Sequence, residues 1–520
     1  MEGFLMDLVS SANGVLWGKV MVWLLLGTGV FYTLRLRFPQ VRHFGHMFKV
    51  TLGGRKSQEG GISSFQALCT GLAAQVGTGN LAGVATALVS GGPGAIFWMW
   101  LTAVLGMATI CGEAILAQLF RVKDQDGTYR GGPAYYLEKG LGQRWMGMLF
   151  AVSIIVAMGF IFNAVQSNSI AAGLRGAFGM RELPVAAVLM AVTAVVIFGG
   201  LKRIAHVAEV VVPVMAIAYI AISLYITLTH ISLLPSIISM IFQGAFGAKQ
   251  VAGGVLGHTV AQAFRYGVAR GLFSNEAGMG STPNAHATAE VRHPARQGFV
   301  AMMGVFVDTL LVCSATATII LVSGQLGSGA TGIELTQLAI RSAVGSWGPY
   351  FIAAALLFFS WTSILGNYYY GESNLKYLFP NCGTLGLGAY RVIVLGMLLF
   401  GATSSVPLVW ELADFFNGIM ALLNLVGILL LSNLAVKALN DYESKGDHHG
   451  HQVPGNPSPG IRVMPLPPAP AGGWPPSKGH LPQPRVRRAS RPGGPGGGHP
   501  VGPAPFGGLR PFGPGRATGG

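Results

Sequence analysis

Apolar runs of about 20 residues alternate with short polar connections along most of this chain. A helix rising ~1.5 Å per residue needs a run of that length to cross a hydrocarbon core about 30 Å thick. The pattern predicts roughly eleven helical spans, near 15–35, 63–90, 95–120, 146–173, 183–199, 205–228, 256–281, 297–323, 348–371, 385–404 and 406–436. The second and seventh are unlike the others, being glycine-rich and polar in the middle.

The connections carry a second pattern. The first loop holds Arg35, Arg37, Arg42, Lys49, Arg55 and Lys56, and the third holds Arg121, Lys123, Arg130, Lys139 and Arg144. The fifth holds Lys202 and Arg203, the seventh Arg292 and Arg296. Even-numbered loops are poorer, with Arg175 and Arg181, then Lys249, then Arg341. Basic loops stay in the cytoplasm, so odd loops are expected inside, the N-terminus outside and the C-terminus inside. The short acidic start, Met1-Glu2, reads as the beginning of a span rather than a cleaved leader.

Composition agrees with a polytopic membrane protein. The 520 residues are 51% hydrophobic and only 10% charged, with a mean hydropathy of +0.53. A net charge of +15 does not point to nucleic acid, because the basic residues sit between spans. Cys69, Cys111, Cys313 and Cys382 lie in or beside apolar segments without metal-ligand spacing, so neither a disulfide framework nor a metal centre is expected. From 441 the character changes: 18 of the 29 prolines follow, with many glycines and arginines. A segment so poor in large aliphatics is expected to be a disordered basic tail, able to touch anionic headgroups. Its His448, His449 and His451 are expected to be solvated rather than metal-bound.

Chemistry concentrates where the spans are least apolar. Ala73-Ala74-Gln75-Val76-Gly77-Thr78-Gly79-Asn80 lies at the middle of span two. Polar backbone at bilayer depth is tolerated only against protein or water, so two glycines flanking Thr78 predict a local unwinding. Such a break frees carbonyls for a small cation and presents amides, at the positive end of a new half-helix, to a carboxylate. A small-residue packing stripe would give the same composition. Gly267 to Gly278 repeats the theme in span seven, where Arg270 and Glu276 alternatively mark a helix mouth. Five spans starting at each interrupted one suggest two five-helix repeats inserted in opposite senses behind one extra helix. The domain reading is therefore 1–62, 63–230 and 231–440, followed by the tail.

Other candidates are more ambiguous. Thr362 and Ser363 of span nine offer adjacent hydroxyl oxygens to a hard cation, or bond back to their own helix. Asn163, Gln166, Ser167, Asn168 and Ser169 in span four suit either a ligand or interhelical hydrogen bonds. Asp308 and Glu113 are acids within spans, functional candidates that equally suit a structural role.

With these residues in view, the chain resembles the alanine/glycine:cation symporter family. Gly91-Gly92-Pro93-Gly94-Ala95-Ile96-Phe97-Trp98 and the following residues to Gly106 fit its signature. Gly77 to Ala85, Gly131-Gly132-Pro133-Ala134-Tyr135-Tyr136 and Phe273-Ser274-Asn275-Glu276-Ala277-Gly278 fit it too. The resemblance covers about 10–440 and implies an all-α, eleven-helix transporter with inverted five-helix repeats. It implies sodium- or proton-driven uptake of alanine, glycine or a similar amino acid across the plasma membrane. The Pro/Gly/Arg tail departs from the family pattern. Val76-Gly77-Thr78-Gly79-Asn80 is also similar to the Val-Gly-Leu-Gly-Asn run in the broken first core helix of LeuT-type sodium symporters. That likeness implies a sodium site from the carbonyls of Ala73, Val76 and Phe359 and the hydroxyls of Thr362 and Ser363. At span seven the matching Gln262-Ala263-Phe264 lacks the hydroxyl that would follow, so a second sodium site is not carried over.

The combined expectation is a sodium-coupled symporter for a small neutral amino acid, working in the lipid bilayer without a cofactor. Amides around Thr78, Gly79 and Asn80 would hold the carboxylate. Gln166, Ser274 and Asn275 would supply polar contacts, and Phe273 and Trp361 would limit the pocket. Proton coupling, or an amino-acid sensor using the same pocket, are the alternatives. An ion channel lacks support because no repeated filter ring is present. An enzyme lacks clustered catalytic residues, and no phosphate-binding loop supplies ATP chemistry.

Overall fold

The computed structural model describes residues 2–55, 61–124, 127–247, 260–404 and 406–445. The proline-rich tail from 446, with its histidines, lies outside the described residues, as do Lys56 and Lys249. Within them the chain is almost wholly helical. An N-terminal pair, α1 (Glu2–Val15) and α2 (Val22–Arg35), is joined by a π-helical turn, Leu16–Met21. A short helix, α3 (Phe44–Gly53), follows on the basic first loop.

The second expected span is broken. Helix α4 (Ser64–Gln75) and helix α5 (Gly79–Gly91) meet at a bend of 53°. A capping box starts α4: the Ser63 hydroxyl accepts from the Gln66 amide while the Gln66 side chain accepts from the Ser63 amide. Beyond it run α6 (Gly94–Leu119), the hairpin β1 (Val122–Lys123) and β2 (Tyr129–Arg130), α7 (Pro133–Leu141), α8 (Arg144–Phe178), α9 (Glu182–Ile197) and α10 (Gly200–Thr229).

A short helix, α11 (Leu234–Phe246), precedes the second interrupted span. There α12 (Val260–Asn275) stops, and a one-turn helix, α13 (Pro283–His286), resumes after an irregular stretch. The chain ends in α14 (Pro294–Ser323), α15 (Gly332–Val344), α16 (Gly348–Leu378), α17 (Thr384–Thr403) and α18 (Val406–Lys445). Every predicted span therefore contains a helix. Among the described residues, seven helices are long and apolar enough to cross alone, and the bent pair counts as an eighth.

Burial sorts these helices into layers. In the most apolar window of α6, 67% of residues are buried, against 33% in α10 and 28% in α17. Exposed Val195, Val214 and Ile217 on α9 and α10 face outward as lipid-facing residues should. The buried interior is formed where α12 packs along α6 and α5, with α16 lying against α4 and α8. Both interruptions lie in that interior.

Candidate functional site

At the first interruption the helical ladder is redirected rather than simply lost. Val76 is extended (φ −80°, ψ 91°). The Gly77 amide donates to Asn80 Oδ1 at 2.9 Å, and the Thr78 amide to Gln166 Oε1 at 3.2 Å. These two amides would otherwise have bonded the carbonyls of Ala73 and Ala74, four residues back. Glycine is required at 77 because a Cβ there would sit 2.4 Å from Ser363 Oγ and 2.9 Å from Gln166 Oε1.

Helix α16 brings its hydroxyls to the same place. Ser363 Oγ lies 3.3 Å from the Val76 carbonyl oxygen and 3.0 Å from that of Phe359. Thr362 Oγ1 is 3.0 Å from the Phe359 carbonyl oxygen. Val76, Phe359, Thr362 and Ser363 are all fully buried. Four neutral oxygens from two helices thus converge, with the Ala73 carbonyl deprived of its usual donor nearby. Each hydroxyl also donates to a carbonyl of its preceding turn, the habit of buried serine and threonine that the sequence left as the alternative. The donor set is all oxygen and suits a hard monovalent cation.

A buried carboxylate lies on the other side of Asn80. Asp308 sits in a π-helical stretch of α14, Phe306–Cys313, and is fully buried. Its Oδ1 accepts from Asn80 Nδ2 at 2.6 Å, and its Oδ2 accepts from Ser274 Oγ and Thr309 Oγ1, each at 2.7 Å. No Lys or Arg pairs with it among the described residues. Asp308 therefore links the first interrupted span, through Asn80, to the second, through Ser274.

The remaining predicted ligand residues divide. Gly79 packs against Phe273, whose ring stacks on Phe162 with centroids 4.9 Å apart. Thr78 Oγ1 and Asn275 Nδ2 are buried and lack hydrogen-bond partners among the described residues, while Gln166 faces the break. Asn80 and Ser274 are instead occupied with Asp308. Trp361 does not join them: it lines an outer groove with Leu174, Val185 and Leu189. It lies two positions before Ser363, about 200° round the helix, which puts the two on nearly opposite faces of α16. Ser167 and Asn168 bind backbone oxygens of Leu398 and Gly401 on α17, so interhelical bonding accounts for them.

The second interruption is differently built. After Asn275 the backbone enters the left-handed region at Glu276 (φ 55°), Gly278 (φ 87°) and Gly280 (φ 81°). Glu276 Oε2 accepts from Ser281 at 2.6 Å and Thr282 at 3.0 Å. Glu113 of α6 accepts from the Gly278 amide at 3.0 Å and from the amide group of Asn424 on α18. Asn424 also donates to the Gly278 carbonyl at 2.9 Å and accepts from the Tyr136 hydroxyl. The Gln75 amide group reaches across from the first break to the Asn275 carbonyl at 2.6 Å. Sequence reasoning missed Asn424 and Phe162. The lone asparagine in Ala421-Leu422-Leu423-Asn424-Leu425 was the available signal for the first. Glu276 is buried inside this network, and Arg270 pairs with Asp414 at 3.1 Å.

A cavity of about 880 Å³ approaches the site from one end, lined by Ala82, Thr86, Arg175, Arg270, Gln337 and Arg341 among others. It reaches Ala82, two residues beyond Asn80. The opposite end is tied shut. Ser64 Oγ donates to Gln297 at 2.5 Å, Gln66 to Glu209 at 2.9 Å, and the Glu290 amide to the Ile62 carbonyl at 2.9 Å.

Broken spans facing each other, a polar centre and one-sided access define a membrane transporter of the LeuT-type fold. The solved structure of MhsT in complex with L-phenylalanine shares that fold at a TM-score of 0.50 and 13% identity, covering 72% of this chain and 97% of that one. A sequence profile of the sodium:alanine symporter family matches residues 2–454, and the chain belongs to that family. It is 48% identical over 442 residues to the amino-acid carrier protein AlsT of Bacillus subtilis, covering 85% of this chain and 93% of AlsT. It is 43% identical over 448 residues to the sodium/alanine symporter AgcS of Methanococcus maripaludis, covering 84% and 97%. The protein is a multi-pass secondary active symporter, not an enzyme.

Proposed function

We propose that this chain carries alanine or a similarly small neutral amino acid into the cell, driven by sodium bound at the first break. The observation that carries this reading is the convergence of the Val76 and Phe359 carbonyls with the Thr362 and Ser363 hydroxyls. Sodium bridging these groups joins α4 to α16 and favours the state open to the Arg175 and Arg341 end, the outer end by loop charge. The substrate carboxylate is received by the Gly79 amide, and by the Thr78 amide once it leaves Gln166 Oε1. Asn275, Gln166 and the Thr78 hydroxyl supply polar contacts, and the stacked Phe162–Phe273 pair bounds the side-chain space. With sodium and substrate both in place, the cavity closes and the tied end opens.

A proton is the second reading for the coupling ion, and Asp308 is what favours it: a buried acid surrounded by neutral donors. Uptake of labelled alanine into proteoliposomes separates the two. Accumulation driven by an inward sodium gradient, and not by an equal potassium gradient, is expected. Accumulation that ignores sodium and follows an imposed pH gradient would replace sodium with a proton. Ligand binding without any uptake would make the protein a sensor.

A further inference from the structure

The outer groove that receives Trp361 is not part of the transport site. It encloses about 730 Å³ between α8, α9 and α16 and is walled by Ile170, Leu174, Val188, Leu189, Leu357 and Trp361 among others. These walls are aliphatic and aromatic from end to end, apart from one charge. Arg181, at the start of α9, lines the groove where the chain turns between α8 and α9. Its neighbours Arg175 and Glu182 pair with each other at 2.5 Å, whereas Arg181 has no ion pair among the described residues. The Trp361 indole N–H likewise has no hydrogen-bond partner.

An apolar groove running along one face of α9, with a guanidinium at one end that has no ion pair among the described residues, matches one kind of occupant. We propose that the groove binds an acyl chain of an anionic phospholipid, with the lipid phosphate held by Arg181. Along α9 the lining residues 181, 184, 185, 188, 189 and 192 follow one face, about 16 Å of helix at ~1.5 Å per residue. That is the depth an acyl chain occupies in a leaflet about 15 Å thick. Arginine offers a planar fork to phosphate oxygens, and the partly desolvated membrane surface strengthens the pair. The lipid chain would then pack on Trp361, one residue before Thr362, giving lipid composition a direct route to the helix turn that carries Thr362 and Ser363.

Lipid contact can be read without transport. The full-length protein is placed in phosphatidylcholine vesicles containing increasing fractions of phosphatidylglycerol with brominated acyl chains, and tryptophan emission is recorded. The chain has 9 tryptophans, so the Trp361 component is the difference between wild type and Trp361→Phe. This component is expected to be quenched at a lower phosphatidylglycerol fraction than the remaining emission. Arg181→Glu should raise the required fraction several-fold, and Arg181→Lys should leave it nearly unchanged. Equal quenching by brominated phosphatidylcholine and phosphatidylglycerol, unchanged in Arg181→Glu, would reduce the groove to ordinary lipid contact and overturn the proposal. A Trp361 component that resists quenching altogether would overturn it as well.

Discussion

The two interrupted spans solve one geometric problem with opposite chemistry. At Val76–Thr78 the backbone amides are redirected onto the side chains of Asn80 and Gln166, and the Val76 carbonyl faces the Ser363 hydroxyl of a separate helix. Buried Thr78 Oγ1 remains without a partner there. At Glu276–Thr282 nearly every polar group is answered: Glu113, Asn424, Tyr136, Ser281 and Thr282 fix the irregular stretch in place. An unpaired buried polar group costs about 1–3 kcal/mol, so groups left unanswered in a membrane interior are where a ligand contributes most. This difference is the ground on which we propose binding at the first break and anchoring at the second. Asp308 is the connector, accepting from one residue of each.

Breaking the connector should have the largest effect. Asp308→Ala would leave Asn80, Ser274 and Thr309 without their shared acceptor, losing about 3–5 kcal/mol as for a buried polar network opened on one side. Uptake is expected to fall below detection. Asp308→Asn, which keeps the shape, should retain more folded protein by size-exclusion profile while still transporting poorly.

Loosening the anchor comes next. Asn424→Ala is expected to lower stability by about 2–3 kcal/mol, because Glu113, Tyr136 and the Gly278 carbonyl lose a partner together. The melting temperature should drop, and the sodium concentration for half-maximal uptake should stay the same in the protein that remains folded. Ser363→Ala should do the reverse. It removes one oxygen from the first break, and half-saturation by sodium should rise roughly 10-fold, about 1.4 kcal/mol, with little change in melting temperature. If both variants changed sodium dependence equally, the division between binding and anchoring would fail.

The smallest effect lies outside the spans. Burial pushes the His293 imidazole below its usual range, and Lys445 and Arg296 add to this, outweighing the Asp441 carboxylate at 3.3 Å. Folding therefore favours the neutral ring, and the unfolded chain takes up the proton first. The contribution of the buried neutral ring is full above about pH 6.5 and declines as pH falls through that value towards the folded-state pKa. Melting temperature should fall slightly more between pH 7.5 and 5.5 in wild type than in His293→Gln.

Much of the architecture was legible because a bilayer leaves few choices. Apolar length gives the spans, and Gly-Thr-Gly in an apolar run gives the first break directly. Thr362 and Ser363 stood out in the sequence as adjacent hydroxyls, but only the resemblance favoured an ion, since two hydroxyls in a helix look the same whether they face an ion or their own backbone. Trp361 shows the limit of neighbourhood in sequence: it points about 100° away from Thr362 and about 200° away from Ser363, because successive helical residues are about 100° apart. Asp308 was visible as a buried acid, but its link to both breaks depends on how α14 lies across them. The anchor at Gly278 was hidden for the same reason, its partners Glu113, Asn424 and Tyr136 coming from three separate helices.

Direct sodium binding tests the central claim best. Radioactive sodium is titrated onto purified full-length protein, wild type and Ser363→Ala, with Asn424→Ala as the anchoring control. Saturable binding that weakens roughly 10-fold in Ser363→Ala and holds in folded Asn424→Ala is predicted. Unchanged sodium affinity in Ser363→Ala and Thr362→Ala alike would contradict a sodium site at the first break.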